Sequence, residues 1–131
     1  MDLNPILLEE KVYRNLNDTE QFWIKKVLEK EFKGRQYLLR QVLSAKVHVE
    51  YGYDFISLKL RIEETEKYPY AVRVPVEMRA FQKESAPIVF LLHVVNGVIN
   101  ELELVTADSS KIDMEMIKLN KIEYVINEAV Q

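Results

Sequence analysis

Asn96-Gly97, set between the runs Ile88–Val95 and Val98–Val105, constrains this chain more than any other feature. Both runs are rich in valine, isoleucine and leucine. Asn-Gly is the favoured two-residue hairpin connection because both of its residues must take positive φ. A loop that short also fixes register. It puts Val95 opposite Val98, His93 opposite Asn100, Leu91 opposite Leu102 and Val89 opposite Leu104. The run before the turn is apolar on both faces, which predicts a strand inside its sheet. Glu101 and Glu103 of its partner then look outward.

Upstream the period is again two. Val47, Val49 and Tyr51 alternate with Lys46, His48 and Glu50. After a turn at Gly52 and Asp54, Ile56, Leu58, Leu60 and Ile62 alternate with Ser57, Lys59, Arg61 and Glu63, the pattern of a strand with one wet face. A third strand is expected from Ala71 to about Phe81, with Val72, Val74, Val76 and Met78 on one face. Pro75 has no N–H and belongs on an edge or at a bulge, whereas a simple meander would put this strand inside the sheet. Near the C-terminus Ile122, Tyr124 and Ile126 alternate as a last strand, and a helix over Met114–Glu128 is the competing reading.

Before the strands the period is 3.6. Asn17 reads as a helix N-cap, and Glu20 completes a capping-box pattern. Ile24, Val27, Leu28 and Phe32 follow at helical spacing beside Trp23, and Gly34 is expected to end this helix. A shorter helix from Arg35 to Ser44 pairs Leu38 with Val42 and Leu39 with Leu43. Helices followed by consecutive strands predict an α+β fold, with two N-terminal helices packed on one face of an antiparallel sheet of four to six strands. The helix face Ile24/Val27/Leu28 should meet Ile56/Leu58/Leu60 and Leu91/Leu102/Leu104. The 131 residues form a single domain. It comprises an arm over 1–15, a helical hairpin over 17–44, the sheet over 45–107 and a C-terminal segment over 108–131 of undetermined structure.

Composition removes several chemistries. There is no cysteine, hence no disulfide, thiolate metal site or cysteine nucleophile. No apolar run approaches 18 residues, and Met1–Glu10 lacks a basic region and cleavage site, so no membrane span or signal peptide is expected and the location expected is cytoplasmic. Eighteen basic residues are dispersed among 21 acidic ones, which disfavours nucleic acid as a partner.

Among chemistry-bearing residues, His48 and His93 lack a local metal-ligand spacing, and Asn100 is the expected cross-strand partner of His93. Glu101 and Glu103 share a strand face about 6.5–7 Å apart, a spacing a glycosidase pair can use, but alternating glutamates also solubilise a strand. Ser109-Ser110 lacks a nucleophile-elbow context and reads as a turn or helix cap. Gly34, Gly52 and Gly97 stand alone, so no phosphate cradle follows. No catalytic residue, metal site or cofactor is therefore expected. The candidate partner-binding residues are Tyr51, Tyr53, Tyr68 and Tyr70, flanking two loops expected at one end of the sheet, together with Glu63, Glu64 and Glu66. Tyrosine gives interface area at low entropic cost, and an acidic rim steers basic partners.

The order of these signals carries a resemblance over Leu16–Ile112. A capped helix with an Asn/Thr-x-x-Glu box precedes a leucine-rich helix that runs directly into a strand through Gln41-Val42-Leu43-Ser44-Ala45-Lys46-Val47. A valine-rich strand, a two-residue turn and a Glu-Leu-Glu-Leu strand ending at Ala107-Asp108 complete the pattern. This resembles small bacterial domains of unknown function, some of them regarded as immunity proteins encoded beside polymorphic toxins. The pattern often has Asp-Gly at both turns, where this chain has Asp108-Ser109, and it has no catalytic motif. Joined to the absence of a catalytic constellation and to the Tyr/Glu loops, the resemblance implies a non-enzymatic protein-binding domain, with an immunity-type inhibitor of a toxin as the expected form. The alternative is a small-ligand-binding domain or hydrolase with a pocket between helices and sheet, and a homodimer through an edge strand is a further partner expectation.

Overall fold

A computed structural model describes residues 12–63 and 66–128. The elements in chain order are β1 (Arg14–Asn15), α1 (Asp18–Val27), α2 (Arg35–Val42), β2 (Lys46–Tyr51), β3 (Phe55–Arg61), β4 (Val76–Ala80), β5 (Ile88–Val95), β6 (Val98–Thr106) and β7 (Ile122–Ile126). The strands form one antiparallel sheet in the order β1-β2-β3-β6-β5-β4-β7. The class is α+β, and among the described residues the sheet has seven strands instead of four to six. The strand beyond the expected number is β1, from the N-terminal arm, while β7 is the last strand that Ile122, Tyr124 and Ile126 suggested.

α1 begins where the capping box places it. Asn17 Oδ1 accepts from Glu20 N (2.8 Å), and Glu20 Oε1 accepts from Asn17 N (2.9 Å). From β1, Arg14 donates to both oxygens of the same carboxylate at 2.8 and 2.7 Å. Trp23, Ile24 and Val27 are buried, and the Trp23 ring meets Phe90 edge-on at 6.2 Å. The helix stops at Val27, well before Gly34, because Arg35 Nε takes the Leu28 carbonyl and the chain turns to drop Phe32 into the core. Gly34, at φ +88°, instead precedes α2, where any Cβ would strike the rings of Tyr68 and Tyr70.

One face of the sheet carries the core, fully buried on β3 to β6 and partly exposed on β2 and β7. Across it run the rows Ile126–Val76–Leu92–Leu102–Leu58–Val49 and Tyr124–Met78–Phe90–Leu104–Ile56–Tyr51. The hairpin turn is where expected, with Asn96 and Gly97 at φ 53° and 78° and Val95 opposite Val98. Beyond it the register departs from expectation. Val94 pairs with Ile99 and His93 with Glu101, so Asn100 is bulged out, Leu91 faces Glu103 and Leu92 faces Leu102. Phe90, Leu92 and Val94 therefore turn inward and Leu91 does not. A strand apolar on both faces does not select its own inner face, and the bulge made the selection.

The third strand is shorter than its pattern, Val76–Ala80, and lies between β5 and β7. Pro75 is accommodated at the last β4/β7 rung, where only its carbonyl is used, accepting from Asn127 N at 2.9 Å. After β6 the chain crosses past β5 and β4 to reach β7, making one 3-10 turn at Met114–Met116 and burying Ile112 on the way. The helix over Met114–Glu128 does not form. Among the described residues no helix is long and apolar enough to cross a membrane.

Candidate functional site

The β2–β3 turn and the β6–β7 crossover meet at one end of the sheet. Ile112 N–H donates to Tyr53 O at 2.9 Å, fastening the crossover to the turn. Here Tyr51 and Tyr53 are 71% and 69% exposed, Met114 and Met116 40% and 60%. A depression of about 210 Å³ between turn and crossover is lined by Tyr51, Ile56, Ile112 and Met114. It adjoins a cleft of about 740 Å³ on the helix side of the sheet. Phe22 and Trp23 of α1 form one wall of that cleft, Val49, Ile56 and Leu58 its floor, and Met114, Ile117 and Leu119 the other wall. Ile56 and Met114 line both hollows, so turn, crossover and α1 present one continuous surface. Its polar fringe includes Asp18, Glu115 and Lys118.

The charge inside the cleft is settled. Burial raises the Glu20 pKa, but the Arg14 guanidinium and the Asn17 N–H outweigh it and hold the carboxyl below the ordinary carboxylate range. Glu20 is thus an anion with its partners already in place.

The candidate tyrosines do not gather in one place. Tyr51 and Tyr53 precede β3, whereas Glu63, Glu66, Tyr68 and Tyr70 follow it, and a seven-residue strand holds its two ends about 20 Å apart. Tyr68 is buried, its N–H donating to Gly97 O at 2.8 Å. Its ring meets Tyr70 edge-on at 5.3 Å, and burial, Tyr70 and Glu128 push its phenol upward. Lys33 Nζ sits 4.8 Å from the Tyr70 ring centre. Glu63 and Glu66 are exposed, and Glu66 pairs with Arg40 at 3.0 Å. Glu64 lies outside the described residues. Tyr68 is a core residue, and the expected single loop cluster is two separate ends.

The other face of the sheet carries a paired polar row. Ser57 Oγ donates to Glu101 Oε2, Lys59 Nζ lies 3.4 Å from the same oxygen, and His93 Nε2 is hydrogen-bonded to Glu103 Oε1 at 2.9 Å. Glu103 therefore replaces Asn100 as the partner of His93, a consequence of the bulge. His48, two strands beyond β6, bonds through Nδ1 to Val12 O at 3.1 Å. Among the described residues no group of three or more His, Asp or Glu is placed to hold a metal ion. His93, Glu101 and Glu103 lie across the sheet from the cleft. Ser109, at φ 63°, and Ser110 form the turn that ends β6.

One residue with a large role gave no signal. Gln41 of α2 is fully buried; its Oε1 accepts from Ile99 N (2.8 Å), and its Nε2 donates to Gly97 O (2.8 Å) and Glu66 O (3.2 Å). It ties α2 to the hairpin turn, to the start of β6 and to the chain that follows β3. In sequence it stood among polar positions of a short helix.

No protein-family model, no curated protein and no solved structure matches this chain.

Proposed function

We propose that this chain is a non-enzymatic protein-binding domain that docks through the end of the sheet formed by Tyr51, Tyr53, Met114 and Met116. The observation that carries this reading is that exposed Tyr51 and Met114, from two segments, line one hollow that opens into the cleft, with exposed Tyr53 and Met116 on the same two segments and Ile112 N–H fastening the crossover to Tyr53 O. Aromatic and methionine side chains are enriched at the centres of protein interfaces, and contiguous exposed apolar surface marks a contact site. Within this class we favour an immunity-type inhibitor, which covers the surface of a toxin, as the resemblance over Leu16–Ile112 implies.

The test is co-expression with toxins encoded beside the gene, scored by growth and by co-purification. The wild-type chain rescues growth and purifies in a stoichiometric complex. Tyr51→Ala/Tyr53→Ala/Met116→Ala loses both, while Glu63→Ala/Glu66→Ala, altered at the opposite end, retains both. Equal rescue by the two variants, or no complex with any such toxin, contradicts the proposal.

A small-ligand site is the second reading, favoured by the cleft itself. Its volume of about 740 Å³ falls within the usual range of ligand pockets, and apolar side chains share its lining with polar ones from the start of α1 and from the crossover. Saturable thermal stabilisation by a metabolite, abolished by Ile117→Trp in the cleft wall, would favour it over the docking surface.

A further inference from the structure

β7 closes the sheet on one side, and among the described residues no strand pairs with its outer edge. Phe81 N–H donates to Lys121 O and Asn127 N–H to Pro75 O, each at 2.9 Å. The bonded rungs between β4 and β7 therefore carry Lys121, Glu123, Val125 and Asn127. By alternation, Ile122, Tyr124 and Ile126 turn their N–H and C=O groups toward the open edge. Natural sheets blunt such an edge with proline, lysine, a bulge or a covering segment. Ile122–Ile126 is a five-residue strand with one charge, Glu123, and neither proline nor lysine, and its register with β4 is unbroken. The opposite edge is treated differently: β1 covers Lys46 and Val47, and Tyr13 packs beside His48 with ring centres 5.8 Å apart.

We infer that β7 pairs with β7 of a second copy of this chain, antiparallel about a two-fold axis at Tyr124. The strand is self-complementary in that register. Tyr124 meets its own counterpart and Ile122 meets the partner subunit's Ile126, so three rungs supply about six backbone hydrogen bonds. On the opposite face Glu123 meets the partner subunit's Val125, and Lys121 meets the partner subunit's Asn127 with the partner subunit's Glu128 beside it. No like charges oppose one another. A slide of one rung in one direction sets Glu123 against the partner subunit's Glu123, and a slide in the other leaves Ile122 unpaired. The centred register is the one that uses the whole strand. Val125, 38% exposed on the uncovered face, becomes covered in the dimer. An interface built on one short strand belongs to the small class, below about 1,200 Å² in total, so the dimer depends on concentration. This inference concerns an edge of the sheet and not the Tyr51–Met116 end, so either can fail alone.

The absence of native cysteine allows a clean test. Glu123→Cys and Val125→Cys are made separately, then oxidised alone and as an equimolar mixture of the full chains. Opposed residues of a non-hydrogen-bonded pair have Cα atoms about 4.5 Å apart, within disulfide reach. The mixture should yield several-fold more covalent dimer than either variant alone. In sedimentation, Val125→Glu, which faces the partner subunit's Glu123, should shift the wild-type dimer toward monomer. Val125→Lys should keep it, with melting curves confirming that both variants fold. A wild-type chain that stays monomeric at the highest soluble concentration overturns the inference. So does cross-linking indifferent to mixing, or a dimer unaffected by Val125→Glu.

Discussion

At the scale of single residues, two buried polar side chains do what apolar packing cannot. Gln41 bonds three backbone groups at and beside the hairpin turn, and replacement by leucine leaves the buried Ile99 N–H without its acceptor and Gly97 O with Tyr68 N–H alone. Orphaned groups of this kind cost about 1–3 kcal/mol each when water cannot reach them. We expect Gln41→Leu to lose about 1–3 kcal/mol and to lower Tm by several degrees, measured by thermal and urea unfolding. Glu20 acts through charge. Its folded pKa lies below the ordinary value, so the unfolded chain binds this proton more readily than the folded one. Its contribution is full above the unfolded value of about 4.3 and is lost as pH falls through the lower folded value. Glu20→Gln keeps an acceptor for Asn17 N–H but removes the attraction for Arg14, which is half exposed, so the cost at pH 7 is about 1 kcal/mol. The stability of this variant should fall less steeply than wild type below pH 5, and parallel pH profiles would show that the Arg14 pairing contributes nothing. Alkaline pH acts in the opposite sense on Tyr124. Burial and then Glu29 raise its phenol, which donates to Lys26 O at 2.6 Å, so the stability it gives is lost as pH rises through that raised value.

At the scale of elements, legibility followed the contrast between faces. β2 and β3 alternate cleanly in sequence, so their existence, pairing and most inner residues were legible, although β3 ends at Arg61 and Tyr51 is exposed at the sheet end. α1 was legible at its start, where Asn17 and Glu20 form a local motif, but not at its end. Phe32 continues the helical spacing although it reaches the core from a turn. β5 is apolar on both sides, so nothing in its sequence chose between Leu91 and Leu92. The available signal lay in β6, where Ile99 and Leu102 stand three apart, a spacing that regular alternation forbids and a bulge permits. The two candidate ends were separable from order alone, since a strand lies between Tyr53 and Glu63. The Met114–Met116 contribution was not, because it depends on where an irregular crossover lands. Leu102 belongs to the core under either register and is fully buried. Leu102→Asp should therefore leave a charge without a partner and unfold the domain, as read by loss of the cooperative melting transition. A wild-type melting curve would mean that this face is not the core.

At the scale of the whole molecule, the sheet separates three surfaces. The core face is covered by α1, α2 and the crossover, the opposite face carries the ion pairs Lys59–Glu101 and Arg79–Glu77 with His93 bonded to Glu103, and the Tyr51–Met116 end exposes aromatic and methionine side chains. Charges already paired within the chain offer little to a newcomer, whereas exposed apolar groups gain by being covered. Docking at that end is the central claim of the proposed function. Hydrogen–deuterium exchange of the chain with and without its co-purified partner tests it most directly. The account predicts added protection in residues 51–55 and 111–117, with residues 66–70 and the β5–β6 turn unchanged. Protection confined to the β5–β6 turn, or spread across the uncovered face of β3, β6 and β5, would contradict it.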